Sequence, residues 1–258
     1  MKIMANPNFK LNYLLKNLTT IKIGGPAKYF FIARNEENLI KAIQWAKKNK
    51  VSWQVVGEGS NLIPSDQGFN GLIIKNQIAN FKKTGNNKIY VGAGNGLLQF
   101  IRKVNKLGLA GMEKMAGIPG TVGGAIYGCV GAYGQEIKNC LVRVRIYDGK
   151  ITKWLSQNQS RFNYRESIFK TAKNWIILGA EFKLKEGDSA KLRNESKEII
   201  KLREEKYWPD LLCPGSFFKN VVVGNIKPAA FRAQFLKKIP PEKVMYGKVA
   251  AGTLLELV

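Results

Sequence analysis

Ala116-Gly117-Ile118-Pro119-Gly120-Thr121-Val122-Gly123-Gly124-Ala125 is the stretch on which the reading of this chain turns. Four glycines and a proline in ten residues argue against an ordinary helix or strand. Glycine tolerates positive φ and lets another molecule come close to the backbone, so such a loop can present N–H groups in a concave array that suits a pyrophosphate. A second loop of this kind, Gly57-Glu58-Gly59-Ser60-Asn61-Leu62, lies upstream. Either loop alone reads equally well as a tight turn. As a pair flanking strand-like segments, they suggest one dinucleotide gripped from two sides.

Working outward, residues 28–34 are aromatic and branched and read as a strand. Asn35-Glu36-Glu37 then opens a helix with an Asn cap and an acidic first turn, and residues 52–56 form a strand running into Gly57. This β-α-β unit ending in a glycine loop is the organisation of a nucleotide site, although the loop lacks Gly-x-Gly-x-x-Gly spacing and so is not a Rossmann fingerprint. Further strands are expected at 71–74 and 88–93, and a helix from Leu97 to Leu107 closed by Gly108. A hairpin is expected around Asp148-Gly149, then strands at 175–178 and 180–184 interrupted by Gly179. After Gly187 a charged helix spans 189–206, so three parts are expected: 1–70, 71–187 and 188–258.

Composition bounds the chemistry. The 258 residues are 45% hydrophobic, enough for a real core. No apolar run spans a bilayer and the N-terminus has no signal-peptide pattern, so the chain reads as cytoplasmic, without membrane insertion. The net charge of +24 raises nucleic acid as a ligand, but the lysines are dispersed rather than clustered, and anionic small ligands are the better reading. Cys129, Cys140 and Cys213 fit no metal or redox spacing and read as buried or half-buried thiols. The absence of histidine excludes Ser-His-Asp and Cys-His catalysis and a histidyl-linked flavin, leaving Arg, Lys, Ser, Tyr, carboxylates or a cofactor.

Six segments, in order, carry a resemblance. They are Thr19–Ala27, Gly57–Leu62 followed by Asp66-Gln67-Gly68-Phe69, Gly117–Ala125, Gly131-Ala132-Tyr133-Gly134, Tyr164-Arg165-Glu166-Ser167-Ile168-Phe169, and Gly215–Asn220. Together they resemble the bacterial UDP-N-acetylenolpyruvoylglucosamine reductases of peptidoglycan synthesis, from about Asn17 to Val258. The resemblance implies an α+β fold: a vanillyl-alcohol-oxidase-type FAD-binding fold of two subdomains, plus a substrate-binding domain. It also implies non-covalent FAD, NADPH as electron donor, a UDP-sugar substrate, and a monomer in preference to an oligomer.

Residue by residue, the resemblance assigns FAD binding to Gly57, Gly59, Ser60 and Asn61 and to Gly117, Gly120, Thr121, Gly123 and Gly124. It makes Arg165 the catalytic arginine, whose fixed charge and planar donors suit an enolate better than lysine; a salt bridge to Glu166 is the plainer alternative. Ser216 becomes the proton donor to C2, and Tyr164, Lys206, Lys219 and Asn220 become candidates for the UDP-sugar. Cys129 stands where the family usually has Asn, which implies altered flavin or loop contacts. The family usually continues beyond the Ala251–Glu256 segment with a second catalytic acid, a glutamate, so the third domain is expected to be incomplete. A non-catalytic flavin- or UDP-sugar-binding remnant is the alternative, and a basic nucleic-acid binder ranks below it.

Overall fold

The computed structural model describes residues 8–208, 210–216 and 218–257, with the side chain of Lys206 outside the described set. The chain divides into two compact units, one ending at Pro214 and the other starting at Gly215.

The first unit is built on two sheets. The first has the order β1-β2-β4-β3, from β1 (Lys10–Leu14), β2 (Pro26–Ala33), β3 (Ser52–Val56) and β4 (Phe69–Asn76). Strand β2 leads into α1 (Glu36–Lys48), started by Asn35, whose Oδ1 accepts the Asn38 N–H at 2.8 Å. Leu39, Ala42, Ile43 and Ala46 recur at helical spacing and are fully buried. The expected β-α-β unit is present, but β4 lies between β2 and β3, parallel to both. The expected boundary at residue 70 therefore falls inside β4, which belongs to the first sheet.

The second sheet, antiparallel, has the order β11-β10-β12-β6-β5. Its strands are β5 (Phe81–Gly85), β6 (Lys88–Gly92), β10 (Leu141–Tyr147), β11 (Thr152–Ser156) and β12 (Ile176–Lys183). Between β6 and β10 the chain forms α2 (Leu97–Lys106), the two-residue strand β7 (Leu109–Ala110), α3 (Val122–Tyr127), and the pair β8 (Gly131–Ala132) and β9 (Gln135–Glu136). Gly179 does not interrupt a strand as expected. It sits within β12 because a Cβ there would lie 2.5 Å from the Tyr90 Oη and 2.8 Å from the Val91 carbonyl.

One face of this sheet, with Ile89, Val91, Val144, Ile146 and Phe182, packs on Phe100, Ile101 and Val104 of α2 and Val122 and Ile126 of α3. On the other face Tyr147, Ile176 and Leu178 share a core with Leu39 and Ile43 of α1. Glu36 binds the Arg145 Nε with both carboxylate oxygens at 3.0 Å and accepts the Tyr90 hydroxyl at 3.3 Å, fastening the start of α1 to the second sheet. Burial, then Glu36, pushes the Tyr90 hydroxyl up to about 12.

Helix α4 (Ser189–Lys206), after the short strand β13 (Lys185–Glu186), belongs to this unit and not to a third domain starting at 188. The buried Asn105 of α2 donates to Ser196 Oγ at 2.7 Å and to the Leu192 carbonyl at 3.2 Å, while Ile199 enters the main core. Leu192, Ser196 and Ile199 lie on one helical face, and the charges that suggested a separate domain occupy the solvent side.

The second unit holds β14 (Val221–Val222), α5 (Ala229–Lys237), β15 (Val244–Met245), β16 (Lys248–Val249) and α6 (Ala251–Glu256), with sheet order β14-β16-β15. Ile239, Val249 and Thr253 are buried, whereas Phe231, Tyr246 and Leu255 are exposed. Among the described residues, no helix is long and apolar enough to cross a membrane.

Candidate active site

The two glycine loops, about sixty residues apart in sequence, meet in space. A Cβ on Gly57 would lie 2.6 Å from Thr121 Oγ1, and a Cβ on Gly120 would lie 2.8 Å from Ser60 Oγ. The first loop leaves the end of β3 and the second enters α3, so the contact joins a strand of the first sheet to a helix packed on the second. Part of the second loop is helical, contrary to the expectation for so glycine-rich a stretch. Thr121 caps α3 by accepting the Gly124 N–H at 3.2 Å, and Gly123 fits because its Cα side faces Ala93 at a distance no side chain could occupy.

Loop geometry tests whether a dinucleotide phosphate fits. Among the described residues, the amides of Glu58, Gly59, Ser60 and Asn61 and those of Gly117, Gly120 and Thr121 donate to no protein acceptor. Glu58 and Asn61 are exposed, but Gly59, Ser60, Gly117, Gly120 and Thr121 are buried or half-buried; such amides without acceptors are unusual in a folded chain, and on two touching loops they form a donor array for an anion. Ser60 is half-buried beside Gly120, and Gly124 is exposed with only Thr121 near it. Asn61 Nδ2 donates to the Pro214 carbonyl at 2.8 Å, which commits a side-chain donor of this loop within the protein. Thr20 Oγ1 likewise donates to the Cys213 carbonyl at 2.8 Å. These two bonds anchor the residues immediately before Gly215.

Arg165 sits in a two-residue turn closed by reciprocal bonds between Asn163 and Glu166, at 3.1 and 3.0 Å. Its φ is +55°, while Tyr164 has negative φ, the sign pattern of a type II turn in which glycine usually takes the third place. The guanidinium donates through Nη1 to the Cys129 carbonyl at 3.1 Å and through Nη2 to the Gly131 carbonyl at 2.6 Å, and it lies 5.4 Å from the centre of the Tyr164 ring. Among the described residues it forms no ion pair, so the salt bridge to Glu166 is not made; the Glu166 carboxylate lies 3.9 Å from Lys170 instead. A guanidinium has five N–H donors, so three remain for a ligand.

Cys129 is fully buried at φ +42°, and its carbonyl is one of the two that hold Arg165. Burial, with Glu136 next, pushes its thiol up to about 11, which keeps it protonated at neutral pH. The contact to Arg165 is made by the Cys129 backbone and not by its side chain.

Ser216, Lys219 and Asn220 are exposed and lie outside the helices and strands of the second unit. The Lys206 side chain lies outside the described residues. One residue escaped the sequence reading. A Cβ on Gly117 would lie 3.1 Å from Arg203 Cδ and 3.3 Å from its Nε, and that Nε–H is buried without an acceptor among the described residues. Its signal was helical spacing: Arg203 follows Ile199 and Ile200 on the buried face of α4.

The sequence profile of the FAD binding domain matches residues 27–153, the span holding both glycine loops. With the two-sheet α+β architecture, this defines an FAD-binding fold of the vanillyl-alcohol-oxidase type. The chain is 37% identical over its whole length to the UDP-N-acetylenolpyruvoylglucosamine reductase of Solibacter usitatus, covering 81% of that protein. It is 37% identical over 81% of its length to the reductase of Bacillus pumilus, covering 70% of that protein. The crystal structure of the Thermus caldophilus enzyme superposes with a TM-score of 0.69 at 26% identity, over 96% of this chain and 93% of that one. A solvent-stable cholesterol oxidase shares the fold alone, with a TM-score of 0.51 at 15% identity over 70% of this chain and 39% of that one. The chain belongs to the UDP-N-acetylenolpyruvoylglucosamine reductase family.

Proposed function

We propose that this chain reduces the enolpyruvyl ether of UDP-N-acetylglucosamine to the lactyl ether, UDP-N-acetylmuramate, at the expense of NADPH, a step of peptidoglycan precursor synthesis in the cytoplasm. The observation that carries the reading is the meeting of two glycine loops with unused amide donors at the start of α3, together with an arginine held by two backbone carbonyls just past the end of the same helix. Gly57, Gly59, Ser60 and Asn61 from one loop, and Gly117, Gly120, Thr121, Gly123 and Gly124 from the other, would hold the FAD, chiefly through backbone N–H groups. Bound there, FAD would supply two-electron hydride chemistry between NADPH and C3 of the enolpyruvyl group.

The chain's own residues handle the charge and the proton. Addition at C3 drives negative charge toward C2 and the carboxylate, where the three unused N–H donors of Arg165 stabilise an enolate. Ser216 Oγ–H then delivers its proton to C2, a step open to a weak acid only because the acceptor is a strong carbon base. Tyr164, Lys206, Lys219 and Asn220 bind the UDP-sugar, and the buried, acceptor-free Nε–H of Arg203 is a further donor for an anionic group.

The test is an anaerobic absorbance titration of the flavin-loaded protein, first with NADPH and then with the enolpyruvyl UDP-sugar. Bleaching followed by substrate-dependent reoxidation is expected. Bleaching that persists when substrate is added refutes the reductase reading in favour of a flavin-binding remnant, and failure to bind FAD refutes the cofactor assignment.

A further inference from the structure

Arg165 occupies a backbone conformation that arginine does not choose. A left-handed residue without glycine costs about 1 kcal/mol or more and persists where its surroundings enforce it. The guanidinium contacts to Cys129 and Gly131 fix the tip of the side chain, and the reciprocal Asn163–Glu166 bonds fix the ends of the turn. The peptide that follows Arg165 is held from both sides: its N–H, that of Glu166, donates to the Asn163 carbonyl at 3.0 Å, and its carbonyl, that of Arg165, accepts from Lys170 Nζ at 2.6 Å.

The Lys170 contact is specific. Its ammonium is much closer to this neutral carbonyl than to the Glu166 carboxylate at 3.9 Å, so the ion pair alone does not explain its placement. Its stem is rigid as well. Lys170 ends a single 3-10 turn, Ile168–Lys170, in which Phe169 is buried in the main core. Just before it, Ser167 Oγ donates to the Tyr127 carbonyl at 2.7 Å. Tyr127 closes α3, the helix that starts at Thr121, so this anchor ties the arginine turn to the glycine-loop helix.

We infer that Lys170 is a positioning residue: by bonding the Arg165 carbonyl it holds the strained turn that aims the Arg165 guanidinium. The inference rests on the reading of Arg165 as the group that stabilises the enolate. Lys170 itself touches neither cofactor nor substrate in this account. A compact ammonium suits the task, because a carbonyl offers a point acceptor with no planar partner for a guanidinium fork.

The test uses the full chain loaded with FAD, with Lys170→Met, Lys170→Arg and Glu166→Gln compared against the unaltered protein. Two quantities are read: the rate at which saturating enolpyruvyl UDP-sugar reoxidises NADPH-reduced flavin, per bound flavin, and the Arg165 Nε–Hε resonance in the ¹⁵N spectrum. Lys170→Met is expected to slow reoxidation about tenfold, equivalent to ~1.4 kcal/mol, and to broaden or shift the Arg165 resonance. Substrate affinity should change less than the rate, flavin occupancy should hold, and Lys170→Arg should recover part of the rate. Glu166→Gln, which spares the Lys170–carbonyl bond, should slow reoxidation less than Lys170→Met does. Should Lys170→Met fold poorly, Lys170→Gln, which keeps a neutral donor, is read in its place. An unchanged Arg165 resonance together with an unchanged rate overturns the inference even if Arg165→Met is inactive. Should the unaltered protein never reoxidise, the functional reading falls, and the Arg165 resonance alone decides for or against the positioning role.

Discussion

Replacing Gly57 by alanine tests whether the two glycine loops form one site. The new Cβ would stand 2.6 Å from Thr121 Oγ1 and 3.1 Å from its Cγ2, whereas ordinary contact starts at 3.4 Å. The loops must therefore part by about 0.8 Å, or the buried Thr121 must leave its rotamer and release the Gly124 N–H. Overpacking of this kind costs ~1–3 kcal/mol and a lost threonine cap ~1 kcal/mol, so Gly57→Ala should destabilise by about 2 kcal/mol. Thr121→Ala should cost about 1 kcal/mol through the cap alone. In the double variant the Cβ finds room, so the combined cost should approach that of Thr121→Ala by itself, a coupling of about 2 kcal/mol. Urea unfolding followed by circular dichroism measures all three. Flavin fluorescence titration of Gly57→Ala should show its dissociation constant raised about tenfold or more, because ~1.4 kcal/mol is a factor of ten. Additive stability costs, within about 0.5 kcal/mol, would refute the contact between the loops and with it the shared phosphate site.

Four further outcomes follow from the same structure. Arg165→Lys should leave NADPH bleaching of the flavin in place and slow substrate reoxidation by roughly a hundredfold, since lysine lacks the planar fork; stopped-flow absorbance reads both steps. Cys129 should resist thiol reagents at pH 8, with labelling rising only toward pH 11. Because its folded value lies above the ordinary value of 9.0, its contribution to stability is complete below pH 9 and disappears as the pH climbs toward 11, a slope that Cys129→Ala should remove. Asn105→Ala strips the buried donor shared by Ser196 and Leu192 and should cost ~1–3 kcal/mol in urea unfolding, with α4 the first element to lose amide-exchange protection. A fragment ending at Pro214 should still bind FAD, since all three buried hydrophobic clusters lie within the first unit; loss of binding, followed by flavin fluorescence, would count against that division.

Much of the local structure was legible because its causes are local. The Asn35 cap, the acidic start of α1, the Gly108 stop after α2 and the hairpin near Asp148-Gly149 depend on residues a few positions apart. The glycine loops were legible for the same reason: their composition excludes most alternatives. Gly179 was misread because glycine in a strand looks like a break, and only the Tyr90 ring arriving from a neighbouring strand explains it. The edge of the last part was misplaced at 187 because charge along α4 marks its solvent side, while Leu192, Ser196 and Ile199, which attach it to α2, are few against that background.

The sequence by itself determined which residues could carry the chemistry. With no histidine it left arginine, lysine, serine, tyrosine, carboxylates or a cofactor, and the resemblance carried by six segments pointed among these to a flavin, Arg165 and Ser216. Only the tertiary structure decided what surrounds them. The placement of Gly57 against Thr121, the transfer of the Asn61 amide to Pro214, the Cys129 and Gly131 carbonyls on Arg165, and Lys170 on the Arg165 backbone join residues up to about 150 positions apart. Such contacts follow from how two sheets and their helices pack, and packing is a property of the whole chain that no short window of sequence contains.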